Sequence, residues 1–217
     1  MNYSRKNPSP RYVQLIEQYR AMHYRGNPEK GVPPEETFAG QSLPRQAVRI
    51  KALIEKTGAR AILDYGSGKG LQYEANNMQR YWGVGAIRCY DPGYGPFAAL
   101  PQGKFDGVVC TDVLEHCPEE DLDWIVDELF AFAQRFVFAN VACFPALKTL
   151  PSGENAHCTV RPPEYWRALF EAAEARFPGV AWEIWADVPH GDALSEVRCG
   201  SFPALESEPS RRDGRAV

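Results

Sequence analysis

Asp64, Asp91 and Asp112, the glycines at 66, 68 and 70, and His116 with His157 carry the chemistry this sequence can do. Asp64 closes the apolar run Ala61-Ile62-Leu63 and is followed by Tyr65-Gly66-Ser67-Gly68-Lys69-Gly70. A second apolar run closes on Asp91, about 20 residues beyond Gly70. A third, Phe105 to Thr111, ends in Asp112-Val113-Leu114-Glu115-His116, and His157 closes the polar stretch Gly153-Glu154-Asn155-Ala156-His157. Glycines let the backbone turn tightly and let a ligand approach the main chain. A carboxylate at a strand tip can accept hydrogen bonds from two ribose hydroxyls. An imidazole can take a proton from a hydroxyl near neutral pH. The order strand, glycine turn, helix, strand, acid describes a nucleotide-type pocket.

Glycine spacing narrows the nucleotide. A dinucleotide fingerprint needs G-x-G-x-x-G, but Leu71 stands at the third glycine. A P-loop needs G-x-x-x-x-G-K-[ST], but Lys69 has Asp64 five places before it and Gly70 after it. The remaining pattern, Ile62-Leu63-Asp64-Tyr65-Gly66-Ser67-Gly68-Lys69-Gly70 with Asp91 and the 105–116 block, resembles the class I S-adenosylmethionine-dependent methyltransferases. Residues 59–144 carry the resemblance.

The resemblance implies S-adenosylmethionine as cofactor. It implies that Gly66, Gly68 and Gly70 pass the backbone beside the cofactor, with Tyr65 and Ser67 in the same loop. Asp64 would sit near the methionine ammonium, and Asp91, with Pro92 beside it, would take the ribose hydroxyls. Asp112 and Val113 would line the methionine and adenine side. His116 and His157 are the candidate catalytic residues, facing the acceptor, with one as base. Asp112, Glu115, His116 and His157 show no recurrent ligand spacing, so no metal site is assigned. His23 and His190 are given no role.

Composition bounds the partners. The chain has 217 residues, 44% hydrophobic and 24% charged, and a net charge of −4. No global basic field exists to hold a phosphate backbone, which argues against general nucleic-acid binding. Both the [DNS]-P-P-[YF] signature of DNA amino-methyltransferases and the Pro-Cys nucleophile of cytosine-C5 enzymes are absent. The 112–116 block instead resembles methyltransferases of small molecules, so a small polar acceptor, methylated at a hydroxyl, is expected. The six cysteines form no C-x-x-C pair, and neither a signal-peptide pattern nor a bilayer-length apolar run is seen; a cytoplasmic protein is expected. Two other classes stay open: a nicotinamide-dependent oxidoreductase, and a non-catalytic cofactor- or partner-binding protein.

The elements that must position these groups follow from periodicity. Residues 1–9 read as loose. Tyr12, Leu15, Ile16, Tyr19 and Met22 recur at helical spacing, so a helix to about Tyr24 is expected. Gly26 to Gln41 reads as a long loop. Ser42, Pro44, Val48, Ala52 and Leu53 mark a second helix ending at Gly58. One helix is expected between Gly70 and the second strand. Pro92 to Lys104 is too short and too rich in glycine and proline for a helix–strand unit. A helix opening at Pro118, a strand over 135–144, a long loop over 145–160, a helix from Pro163 and a closing hairpin complete the chain.

The predicted fold is α/β: a Rossmann-like, doubly wound, mostly parallel sheet of about six strands with an N-terminal helical extension. The third-strand unit of the class I fold is missing, which leaves the second strand at the edge and removes the usual adenine contact. In the family's numbering the strand order would be 2-1-4-5-7-6, the last strand antiparallel. The predicted divisions are a helical extension or lid over 1–57, a methyltransferase domain over 58–203 and a disordered tail over 204–217.

Overall fold

The computed structural model describes residues 3–38, 42–191 and 193–202; the tail expected over 204–217 lies outside them. The strands are β1 (Ala61–Tyr65), β2 (Ala86–Tyr90), β3 (Phe105–Thr111), β4 (Ala133–Ala142), β5 (Ala181–His190) and β6 (Ala193–Gly200). They form one six-stranded sheet in the order β2-β1-β3-β4-β5-β6. The first five run parallel and β6 runs antiparallel to β5.

Apolar strands alternate their side chains between the two faces of the sheet, and helices cover both. The helices are α1 (Pro10–Arg25), α2 (Ser42–Thr57), α3 (Leu71–Ala75), α4 (Met78–Trp82), α5 (Leu122–Phe132) and α6 (Pro163–Arg176). Leu63, Val108 and Val137 pack on one face beneath α5 and α6, against Ile125, Leu129, Trp166 and Phe170. Ile62, Val109, Phe136 and Phe138 pack on the other face beneath α2 and α4, against Ile50, Leu53, Met78 and Trp82.

Pro92 to Lys104 holds no helix–strand unit, only a single helical turn at Gly95–Phe97, and β2 stands at the sheet's edge as expected. The other end of the sheet differs from expectation. The last strand does not insert between its two predecessors; β5 pairs directly with β4, and β6 takes the outer edge. Composition explains this. Trp182, Ile184 and Ala186 of β5 are buried, whereas β6 carries Ser195, Glu196 and Arg198 and is largely exposed, as suits an edge.

Three local expectations are corrected. The helix after Gly70 is two short helices, because Asn77 adopts a left-handed conformation (φ 48°) and interrupts the ladder. Val48 does not line the core. It is 70% exposed, because α2 buries the opposite stripe of Leu43, Ala47, Ile50 and Ile54.

The N-terminal residues are tied down rather than loose. Arg5 Nε donates to Glu128 Oε1 at 2.8 Å, and Arg5 Nη2 donates to the Tyr65 hydroxyl at 2.6 Å. Ser9 caps α1 by accepting from Tyr12 N–H at 3.0 Å, while its own hydroxyl donates to Asp121. Asp121 is fully buried and also accepts from Ser9 N–H at 3.0 Å and from Trp124 Nε1 at 2.8 Å.

Asp121→Ala leaves three donors unsatisfied, the two of Ser9 buried and that of Trp124 half-buried, and frees the start of α1. The expected loss of stability is about 2–4 kcal/mol, the scale of removing a charged acceptor from several donors. Urea unfolding checks it: the midpoint should fall at an unchanged slope, and a change below about 0.5 kcal/mol would refute this anchoring.

Candidate functional site

A cavity of about 560 Å³ opens at the C-terminal ends of β1 to β4, where open α/β sheets place ligands. Its floor is the loop after β1. One wall is α1, through Tyr12, Leu15, Ile16, Tyr19, Met22 and His23. Phe38 and the segments 144–148 and 156–157 complete the enclosure. Leu15 and Met22 pack with Leu150 and Ala156 in a small apolar cluster, which joins α1 to the 145–160 loop.

The glycine loop hangs from the end of β2. Gly66 N–H and Ser67 N–H both donate to Tyr90 O, at 2.8 and 3.1 Å. Gly68 N–H donates to Asp91 Oδ2 at 2.9 Å, and Gly93 N–H donates to Asp91 Oδ1 at 2.8 Å. This path needs a left-handed backbone at Gly66 (φ 85°), and a Cβ there would stand 2.4 Å from Val113.

Asp64, Tyr65, Gly66, Ser67, Gly68, Asp91, Pro92, Asp112 and Val113 all line the cavity. Gly70 does not. Its φ of 67° and the Phe97 ring, 3.0 Å from where a Cβ would be, give it a packing role behind the loop.

Of the floor carboxylates, Asp64 is buried and Asp91 half-buried. Burial pushes Asp64 up to about 7 and Asp91 up to about 6, the latter against stabilising donors from Gly93, Gly68 and Tyr94. Gln72 Nε2 donates to Ser67 O at 3.2 Å and reaches Asp64 Oδ2 at 3.4 Å; Gln72 Oε1 is buried without a partner.

His23 is the residue missed by sequence reasoning. It is buried, its ring stacks on Tyr94 (centroids 5.0 Å apart) and lies 4.6 Å from Phe38, and its Nε2 is 3.9 Å from Asp91 Oδ1. Its Nδ1 is buried and has no partner among the described residues. Burial, helped by Lys69, lowers its pKa to about 4, so the ring is neutral. The signal was present: position 23 falls four residues after Tyr19 and seven after Ile16, on the apolar stripe of α1.

Across the cavity, His116 and His157 meet with ring centroids 4.8 Å apart. The loop that carries His157 is fastened to the segment that carries His116. Thr159 N–H donates to Glu115 O at 3.0 Å, and Thr159 Oγ1 donates to Cys117 O at 2.7 Å. Asn155 clamps the same loop: its Oδ1 accepts from Ala146 N–H and His157 N–H, and its Nδ2 donates to Ala146 O.

Each imidazole has its Nδ1 against a main-chain carbonyl, His116 on Ala156 O at 2.8 Å and His157 on Phe144 O at 2.6 Å. A carbonyl only accepts, so Nδ1 carries the hydrogen in both rings. Burial holds His116 well below the usual histidine range, against the upward pull of Asp112, so it is neutral at pH 7. Its Nε2 therefore keeps a free lone pair. Tyr19 supports the pair, its hydroxyl 2.9 Å from His116 Nδ1 and 3.2 Å from Ala156 O.

Asp112 completes the group at the end of β3, in a left-handed conformation (φ 60°) that non-glycine residues seldom adopt. Its N–H is held by Asn140 O at 3.0 Å. The arrangement offers a nucleotide-sized half lined by carboxylates, and a second half where two imidazole rings meet beside Asp112.

No protein-family model and no curated protein matches the chain. Among solved structures, the fold is similar to magnesium protoporphyrin IX methyltransferase (ChlM) from Synechocystis PCC 6803 with bound SAH, with a TM-score of 0.48 and 15% identity over 86% of this chain and 94% of that one. It is similar to an O-methyltransferase family protein from Burkholderia thailandensis, with a TM-score of 0.41 and 9% identity over 87% of this chain and 67% of that one. A third likeness, to the DhpI–SAH complex, has a TM-score of 0.30 and 12% identity over 88% of this chain and 79% of that one. At these scores the likeness is too distant to carry a function across.

Proposed function

We propose that this chain is a class I S-adenosylmethionine-dependent methyltransferase acting on a small polar acceptor at a hydroxyl. The observation that carries the reading is a cavity that joins the Asp64–glycine–Asp91 half to His116 and His157.

The residues fit the cofactor by their unmet bonding capacity. Gln72 Oε1, buried and unpartnered beside the Asp64 carboxylate, suits an ammonium group. Asp91 retains lone pairs beyond those used by Gly68 and Gly93, and His23 Nδ1 is a second buried atom without a partner next to it; both suit ribose or base edges. With no third-strand unit to flank the adenine, His23 and Phe38 supply an aromatic surface for it, with Tyr94 stacked on His23. When bound, the cofactor supplies a sulfonium methyl already activated for transfer. The chain's own work is to orient the acceptor, exclude water and take the hydroxyl proton on His116 or His157 Nε2. α1 and the 145–160 loop act as the lid over the acceptor.

Asp91→Ala is expected to weaken S-adenosylmethionine or S-adenosylhomocysteine binding by about 1–3 kcal/mol, the scale of losing a charged acceptor. Undiminished affinity by calorimetry sinks the cofactor assignment. With an acceptor found by screening for S-adenosylhomocysteine release, His116→Ala and His157→Ala should slow turnover by about 10²–10⁴-fold where the residue acts as base, at nearly unchanged cofactor affinity. Wild-type turnover in both places the acceptor elsewhere.

Affinity should also depend on pH. A ligand ammonium favours ionised Asp64, and ribose hydroxyls favour ionised Asp91. Without ligand these groups titrate near 7 and 6, so binding below that range must displace protons. Affinity for S-adenosylhomocysteine should rise with pH through about 6–7 and level off above, with proton release seen as a buffer-dependent enthalpy. A flat affinity between pH 5.5 and 8 would contradict the placement of the ammonium at Asp64.

A further inference from the structure

We infer that Asp112, His116 and His157 form a binding site for one divalent transition-metal cation, which holds the acceptor's hydroxyl oxygen. A carboxylate oxygen of Asp112 and one ring nitrogen of each histidine lie within 4.8 Å of one another. A cation about 2.1 Å from each ligand sets cis ligand atoms about 3.0–3.4 Å apart. Rotation of the Asp112 side chain, which is exposed to the cavity, brings its carboxylate toward the two fixed rings.

Three further observations point the same way. Both histidines donate Nδ1–H to a main-chain carbonyl, the outer contact that fixes the tautomer of a metal-binding imidazole and leaves Nε2 as the ligand. Asp112 is held in a left-handed backbone conformation that costs energy and aims a carboxylate at the same spot. Glu115 lies fully buried behind the group; Oε1 accepts from Ala142 N–H at 2.7 Å, and Oε2 is buried without a partner.

Two imidazoles and one carboxylate suit Mn²⁺, Fe²⁺, Co²⁺ or Zn²⁺ better than the all-oxygen preference of Mg²⁺ and Ca²⁺. Three protein ligands on one side leave positions open toward the cavity, the arrangement of a working rather than a structural site. Its role rests on the methyltransferase reading. An acceptor hydroxyl bound at an open position loses its O–H proton to water at a lower pKa, and both oxygen–hydrogen bond electrons stay on oxygen. The cation then takes the place of a histidine base.

Co²⁺ added to the metal-free full-length protein is the probe, read by its visible absorption bands and by calorimetry. One equivalent should bind. His116→Ala and His157→Ala should each weaken binding by at least about tenfold, and Asp112→Asn should do so too. His190→Ala, at the exposed end of β5, should bind as wild type. Circular dichroism melts and S-adenosylhomocysteine binding verify that the variants fold; His157, in a loop, serves if His116→Ala does not. Absence of Co²⁺ binding at millimolar concentration, or binding unchanged in the His116→Ala/His157→Ala double variant, overturns the site. Calorimetry of metal-free protein with S-adenosylhomocysteine separates the two claims. Co²⁺ binding without cofactor binding retains the metal site and removes the methyltransferase role; cofactor binding without Co²⁺ binding does the reverse.

Discussion

The loop after β1 owes its shape to the end of β2. Two successive N–H groups reach one carbonyl, that of Tyr90, and the next glycine N–H reaches the Asp91 carboxylate. These bonds convert a flexible glycine run into a fixed cradle, and they make Asp91 a structural acceptor. A buried carboxylate would be costly without such donors. The same geometry draws β1 and β2 into register at their tips, where Tyr65 pairs with Tyr90, so the cradle and the sheet edge are built by one set of contacts.

The opposite half of the cavity depends on a different device. His157 comes from a long loop without regular structure, and such a loop cannot place a ring unless its polar groups are paired. Asn155 spends both ends of its amide on Ala146 and accepts from His157 N–H as well, while Thr159 fixes the loop's exit to the 115–117 turn. The two imidazoles thus face each other through main-chain contacts rather than through helix or strand.

Much of this is legible in the chain. The acids and glycines at strand ends mark the floor of the cavity, because strand termination and tight turns impose residue types at short spacing. The pairing of His116 with His157 is half visible: each stands out in its own stretch, but the spacing that brings a loop residue to a strand end is set by Asn155 and Thr159, not by periodicity. Family topology misleads on strand order at the far edge, although the apolar β5 and polar β6 already distinguish interior from edge. The anchoring of residues 3–9 is hidden for another reason. Arg5 and Ser9 find their partners at Glu128 and Asp121, far along the chain, and no local pattern announces such pairs.

The absence of the third-strand unit and the placement of α1 are two sides of one arrangement. Only a turn follows Asp91, so among the described residues nothing pairs outside β2, and the segment 92–97 lies open to a helix. The glycines in that turn admit it. A Cβ on Gly93 would stand 3.2 Å from Tyr19 Cβ, and one on Gly95 would stand 2.6 Å from the Tyr24 hydroxyl. α1 settles there and carries His23 to within 3.9 Å of Asp91 and Tyr19 to His116, touching both halves of the cavity from one helix face. Pinned at its start through Ser9 and Asp121, α1 has little freedom to slide along its axis, though it can still pivot at that end. A helix so placed couples whatever fills the Asp91 side to the arrangement of the histidines on the other.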